Sequence, residues 1–151
     1  MSAFDKFFRR RGSDRALFFE ALLALGWAKW QVHTVPFRRL APGLGRAQAE
    51  TPLAVSPAER MTAVRVSWAV ETAARYVPLG FVCLPQAIAA QRMLRRRGIA
   101  STLYLGVAPD QSGRSAIAAH AWLRTGDKIV TGEHEAARHR LLASFAGDAS
   151  S

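Results

Sequence analysis

The chain has a single cysteine, Cys83, among its 151 residues. One thiol cannot close an intramolecular disulfide, and no Cys/His set has zinc-finger spacing, so a disulfide scaffold and a structural metal are both excluded. Acidic residues are also scarce, with 11 Asp+Glu against 21 Lys+Arg, and the net charge is +10. That surplus suits an acidic partner, whether nucleic acid, an anionic membrane surface or an acidic peptide, and does not choose among them. There is no internal repeat and no low-complexity tract. The basic, aromatic start from Phe4 to Arg11 is followed by no secretory h-region and no cleavage site, so the expected location is cytoplasmic. Apolar residues are not lacking: at 50% hydrophobic and 21% charged, the chain has globular rather than disordered composition.

No apolar run is long enough to span a bilayer. Ser13 or Asp14 can cap a helix that continues to Trp30, but Glu20 interrupts its apolar stretch and Lys29 ends it, short of the about 20 residues a span requires. This helix is expected to pack on its own protein. Trp27, Trp30, Arg38 and Arg39 are the residues that would instead seat it peripherally on a membrane, which is not the favoured reading.

Pro36, Pro42, Gly43, Gly45 and Pro52 punctuate residues 36–55, which read as a linker. Ser56-Pro57-Ala58-Glu59 is a capping box with proline at the first helical position, and it starts a second helix. Met61, Val64, Trp68, Ala69 and Thr72 follow its apolar period, and it stops near Pro78-Leu79-Gly80. A third helix runs from Cys83 to a glycine stop at Gly98. Strands are expected over Ser101–Val107, Ala116–Arg124, Lys128–Thr131 and Leu141–Phe145, with Thr125-Gly126-Asp127 as a tight turn. The fold class is α+β. The division is an N-terminal helical extension and linker (1–55), a catalytic-type domain (56–146) and a disordered tail (147–151).

Cys83 opens its helix, where orphan N–H groups and the macrodipole favour an anion and raise thiolate character. Position alone does not separate a nucleophile from the buried, inert cysteine that is commoner. His120 lies on a strand, Ala119-His120-Ala121-Trp122, from which an imidazole can take the thiol proton; a core histidine satisfied by backbone is the alternative. His134, Glu135 and His139 suggest a metalloprotease, but the histidines are five apart rather than four and lack a strong helix, so a solvated polar segment is expected and no metal or other cofactor is called for. Arg92, Arg95, Arg96 and Arg97 end the cysteine helix, where cations complement the dipole. Without exposed aromatics or a helix-turn-helix they do not make a nucleic-acid site, and an acidic leader segment or partner is the preferred ligand for any such patch.

Cysteine helix, glycine stop, strand and His-Ala-Trp strand occur in the order of the transglutaminase-like, papain-related cysteine hydrolases. Through Cys83-Leu84-Pro85-Gln86-Ala87, Leu94-Arg95-Arg96-Arg97-Gly98-Ile99, Leu103-Tyr104-Leu105-Gly106-Val107 and Ala119-His120-Ala121-Trp122-Leu123, the sequence resembles the leader peptidases of lasso-peptide biosynthesis. The resemblance spans residues 57–146, and Val35-Pro36-Phe37-Arg38-Arg39-Leu40 also looks like that family's N-terminal portion. It implies a papain/transglutaminase-like core and a cysteine peptidase that separates leader from core peptide, with Cys83 as nucleophile and His120 as base. It also implies a small separate leader-recognition protein and a ring-closing synthetase as partners. The family's third member, an aspartate after the histidine strand, aligns with Gly132 here. Asp127 falls in the hairpin turn, and Glu133, one position late, is the candidate orienting residue only if the strand bulges. A binding module that holds a precursor or partner without cutting it is therefore the second reading.

Overall fold

The computed structural model describes residues 12–76, 83–109, 117–133 and 140–148, and gives four α-helices and five β-strands among them. The first helix, α1 (Gly12–Thr34), buries a stripe of small and branched residues, Leu17, Ala21, Ala24, Leu25 and Ala28. It reaches one turn beyond the expected end, and the Thr34 hydroxyl donates back to the Trp30 carbonyl at 2.7 Å. Pro36 then forces a break, because the residue before a proline is biased out of helical conformation.

Residues 36–55, expected as a linker, contain α2 (Phe37–Leu44) and a short strand, β1 (Arg46–Ala47). Gly45 joins them at φ 122, with its Cα so close to β5 that a Cβ would lie 2.1 Å from the Ala146 carbonyl oxygen. Only glycine fits there, and that close approach lets β1 pair with β5 (Arg140–Gly147) in the register Arg46↔Ala146. Asp148, placed in the expected tail, is ion-paired with Arg46; residues 149–151 lie outside the described residues.

α3 (Pro57–Tyr76) starts on the expected capping box: the Glu59 N–H donates to Ser56 Oγ at 3.1 Å and the Ser56 N–H to Glu59 Oε1 at 3.2 Å. Its inner face only partly matches the expected one: Ala69 is buried and Trp68 packs against the core, but the face is shifted. Ala63, Val66, Ser67, Ala69, Val70 and Ala73 are buried, whereas Met61 and Val64 are exposed at 62% and 42%. Small side chains let the helix backbone approach its neighbours closely, and the Ser67 hydroxyl is satisfied by the Val130 carbonyl at 2.6 Å. α4 (Cys83–Arg96) ends in a Schellman motif, with Gly98 at φ 70, the Ile99 N–H on the Leu94 carbonyl and the Gly98 N–H on the Arg95 carbonyl.

The sheet is antiparallel throughout, in the order β1-β5-β2-β3-β4, with β2 at Ser101–Pro109, β3 at Ile117–Thr125 and β4 at Lys128–Thr131. α4 packs on β2, β3 and β4, α3 packs along β4, and α1 lies across α3 and α4. Leu103, Ala121, Leu123, Val130 and Phe145 meet Ala87, Ala90 and Leu94 in one core that also includes the buried face of α1. The fold is α+β, as expected.

Residues 50–55 seal the opposite face as a strap. The buried Arg124 guanidinium donates to the Tyr104 hydroxyl at 2.8 Å and to the Thr51 carbonyl at 2.9 Å, the Tyr104 hydroxyl donates to Glu50, and Thr51 and Thr102 share a hydroxyl bond of 2.7 Å. Burial and the Glu50 bond raise the Tyr104 pKa above its ordinary value, against the lowering influence of Arg124. Among the described residues, no helix is long and apolar enough to cross a membrane.

Candidate active site

Cys83 is the first residue of α4, so its side chain lies beside N–H groups that have no intrahelical acceptor. Pro85 sits in that same turn, where a missing N–H costs no helical bond. The half-buried Cys83 Sγ accepts a hydrogen bond from the Ala121 N–H at 3.4 Å.

That bond exists because β4 stops early. Leu123↔Thr131 is its last pair with β3, after a bulge between Leu123 and Arg124, and the chain then turns at Gly132 with φ 74. A Cβ on Gly132 would lie 2.8 Å from the Ala121 carbonyl oxygen, which places that carbonyl on the β4 side of the strand. In an antiparallel strand a residue's N–H and C=O point the same way, so the Ala121 N–H faces the edge that β4 has vacated. The thiol takes the position a further strand residue would have occupied.

His120 immediately precedes Ala121, is half-buried, has a buried Nδ1, and pairs in register with Gly106. Trp122 follows, stacked on Tyr104 with ring centroids 5.6 Å apart, and its ring lies where a Cβ on Gly106 would approach within 2.6 Å. Gly106 thus makes room for the indole next to the histidine. The structure brings Cys83 against the His-Ala-Trp strand.

The acid candidates are placed differently. Asp127 sits in the β3–β4 turn and is ion-paired with Arg60, about 17 Å along the strand from His120 at the usual rise per residue. Gly132 has no space for a side chain, so the aligned acid position is closed by backbone. Glu133 is exposed and lies near Glu71 of α3. Burial pushes the Glu71 carboxyl above its ordinary value; Lys128 and Arg75 pull it down, Glu133 raises it further as a like charge, and a Ser67 hydrogen bond lowers it. Glu71 stands on the solvent-facing side of α3.

His134, Glu135 and His139 lie outside the described residues. Among the described residues, no cluster of His, Cys, Asp and Glu could hold a metal ion. The α4 arginines are engaged within the fold: Arg95 donates to the Gly43 carbonyl at 3.1 Å, Arg96 and Arg97 grip Glu20, and Arg92 lies over the Trp27 ring. The Arg97 hydrogen bond lowers the Glu20 pKa, despite desolvation. The patch fastens α1 and α2 to α4.

No curated protein and no solved structure matches the chain. A family described as "Transglutaminase-like superfamily" matches residues 31–144, from the last turn of α1 into β5. Because that match covers most of the sequence, the chain belongs to the transglutaminase-like superfamily, which includes cysteine peptidases.

Proposed function

We propose that this protein is a cysteine peptidase that removes the leader from a ribosomally synthesised lasso-peptide precursor. The observation that carries the reading is the Cys83 thiol at the start of α4, held by the Ala121 N–H beside His120. Cys83 is the nucleophile and His120 the base. The thiol proton passes to the imidazole and sulfur attacks the scissile carbonyl carbon. The helix start and the Cys83 N–H favour the oxyanion. As the C–N bond breaks, the imidazolium protonates the leaving amine, and the acyl group stays on sulfur. Water, deprotonated by His120, then attacks the thioester and restores the thiol. With Gly132 closed to a side chain, the pair works as a dyad or with Glu133 as its orienting residue. The partners are the precursor, a small separate leader-recognition protein and a ring-closing synthetase, in the cytoplasm.

Cleavage of the precursor, followed by mass spectrometry, should disappear in Cys83→Ala with the fold intact; equal processing by both proteins would remove the assignment. The alkylation rate with iodoacetamide needs no substrate. It should exceed that of the denatured chain near neutral pH and fall in His120→Ala. The closed acid position at Gly132 favours a second reading, a precursor- or partner-binding module. Tight precursor binding by wild type with slow alkylation and no cleavage would select it.

A further inference from the structure

Helix α1 has two apolar faces. One is buried on α3 and α4. On the other, Phe19, Leu23, Trp27 and Trp30 are exposed at 55%, 77%, 45% and 54%. At about 100° per residue these positions fall within an arc of roughly 80°, opposite the buried stripe. A contiguous exposed apolar patch of this kind marks an interaction surface.

The charge near the patch is net basic. Arg92 of α4 lies with its guanidinium carbon 5.8 Å from the Trp27 ring centroid, and Arg38 and Arg39 are exposed in the first turn of α2, next to the half-exposed Phe37. The acids of α1 are engaged elsewhere, Asp14 with Arg65 and Glu20 with Arg96 and Arg97, while α2 and α4 contain none. Trp27 and Trp30 stack 5.1 Å apart with their faces half in solvent. The sequence leading into the helix repeats the composition, with Phe4, Phe7 and Phe8 among Lys6, Arg9, Arg10 and Arg11 against one acid, Asp5.

From these features we infer that the outer face of α1 docks on an anionic lipid surface. Aromatic rings with a polar edge suit the boundary between headgroups and acyl chains, and a border whose nearest acid, Glu20, is already held by Arg96 and Arg97 stays basic toward anionic headgroups. The net charge of +10 adds long-range attraction to the same surface.

The full chain, mixed with vesicles of phosphatidylcholine alone or with added phosphatidylglycerol, should cosediment with the anionic vesicles and lose binding as salt rises. The double variant Leu23→Glu/Trp30→Glu should reduce binding about tenfold or more, by removing apolar anchors and adding like charge to the surface. Both positions are exposed, so its circular dichroism and melting should match wild type. In wild type alone, lipids brominated on their acyl chains should quench part of the tryptophan emission, a readout that needs no variant. Absence of wild-type binding or of quenching would overturn the inference, as would undiminished binding by a folded double variant. A dimer seen by light scattering without vesicle binding would assign the face to a second copy instead.

Discussion

The two ends of the β3–β4 hairpin differ in how their polar groups are used. At the turn, Arg124 reaches Tyr104, Thr51 and the Gly126 carbonyl, Asp127 pairs with Arg60, and Gly126 at φ 58 packs against Val55. These polar groups are engaged within the fold. At the other end the bulge and Gly132 take β4 away, and a backbone donor of β3 is given to a thiol. Under the proposed function, one strand serves as anchor at one end and as the reactive edge at the other. The separation lets chemistry tolerate an incomplete ladder, because the hairpin's register is held from the far side.

If this division holds, substitutions at the two ends should separate rate from stability. His120→Ala should lower precursor cleavage by about 10²–10⁴-fold, the usual contribution of a positioned base, while changing the melting temperature little. Arg124→Met should do the reverse. It leaves the Thr51 and Gly126 carbonyls and the Tyr104 hydroxyl without their donor, at a cost of about 3 kcal/mol, readable as a lower urea midpoint. Activity per folded molecule should stay within about twofold of wild type, since the network lies outside the reactive edge. A rate loss at Arg124 as large as at His120 would end the comparison.

Gly132 sharpens it further. Alignment invites Gly132→Asp as a way to complete a triad, but φ 74 and the contacts with Ala121 and Trp122 oppose any Cβ. We expect a stability loss of about 1–3 kcal/mol and cleavage lowered about tenfold or more, because the displaced strand is the one that holds the thiol. A gain in kcat would show that the edge has more room than its backbone allows. Glu133→Gln should cost less than loss of Cys83; an equal loss would make Glu133 the orienting group.

The parts of this arrangement that sequence made legible are those governed by local chemistry. The box at Ser56 and Glu59, the Gly98 stop and the cysteine at a helix start each depend on residues within one turn, and the Thr125-Gly126-Asp127 turn is equally local. Partners far apart in sequence were hidden. Thr51 is an unremarkable threonine until Thr102 and Arg124 are beside it, so the strap read as a linker. Pro42 and Gly43 masked α2, whose Leu40 and Leu44 are fixed by tertiary packing. On α3 the large apolar residues suggested the inner face, yet small ones occupy it, because a helix wedged between α1 and β4 is selected for closeness rather than bulk. At the site, Cys83 and His120 stood out by type and context, whereas the Ala121 N–H has no sequence signature.

Glu71 offers the gentlest test, at the border between the α3-covered edge and the reactive end. Its carboxyl pKa lies above the ordinary 4.5, chiefly because partial desolvation of this solvent-facing group disfavours the charge, with Lys128 and Arg75 only partly offsetting this. The folded protein therefore keeps that proton at a pH where the unfolded chain has released it. From the ordinary carboxylate pKa upward, stability falls with rising pH until the folded group has also ionised. Glu71→Gln removes the dependence while retaining a polar side chain for Ser67. Its melting temperature should exceed that of wild type by a small margin near neutral pH, and the margin should shrink toward zero in acid, below the unfolded carboxylate value. A variant less stable than wild type at neutral pH would instead mean that the attraction of Lys128 and Arg75 outweighs burial, and Glu71 would join the anchoring charges of the hairpin rather than weaken its open end.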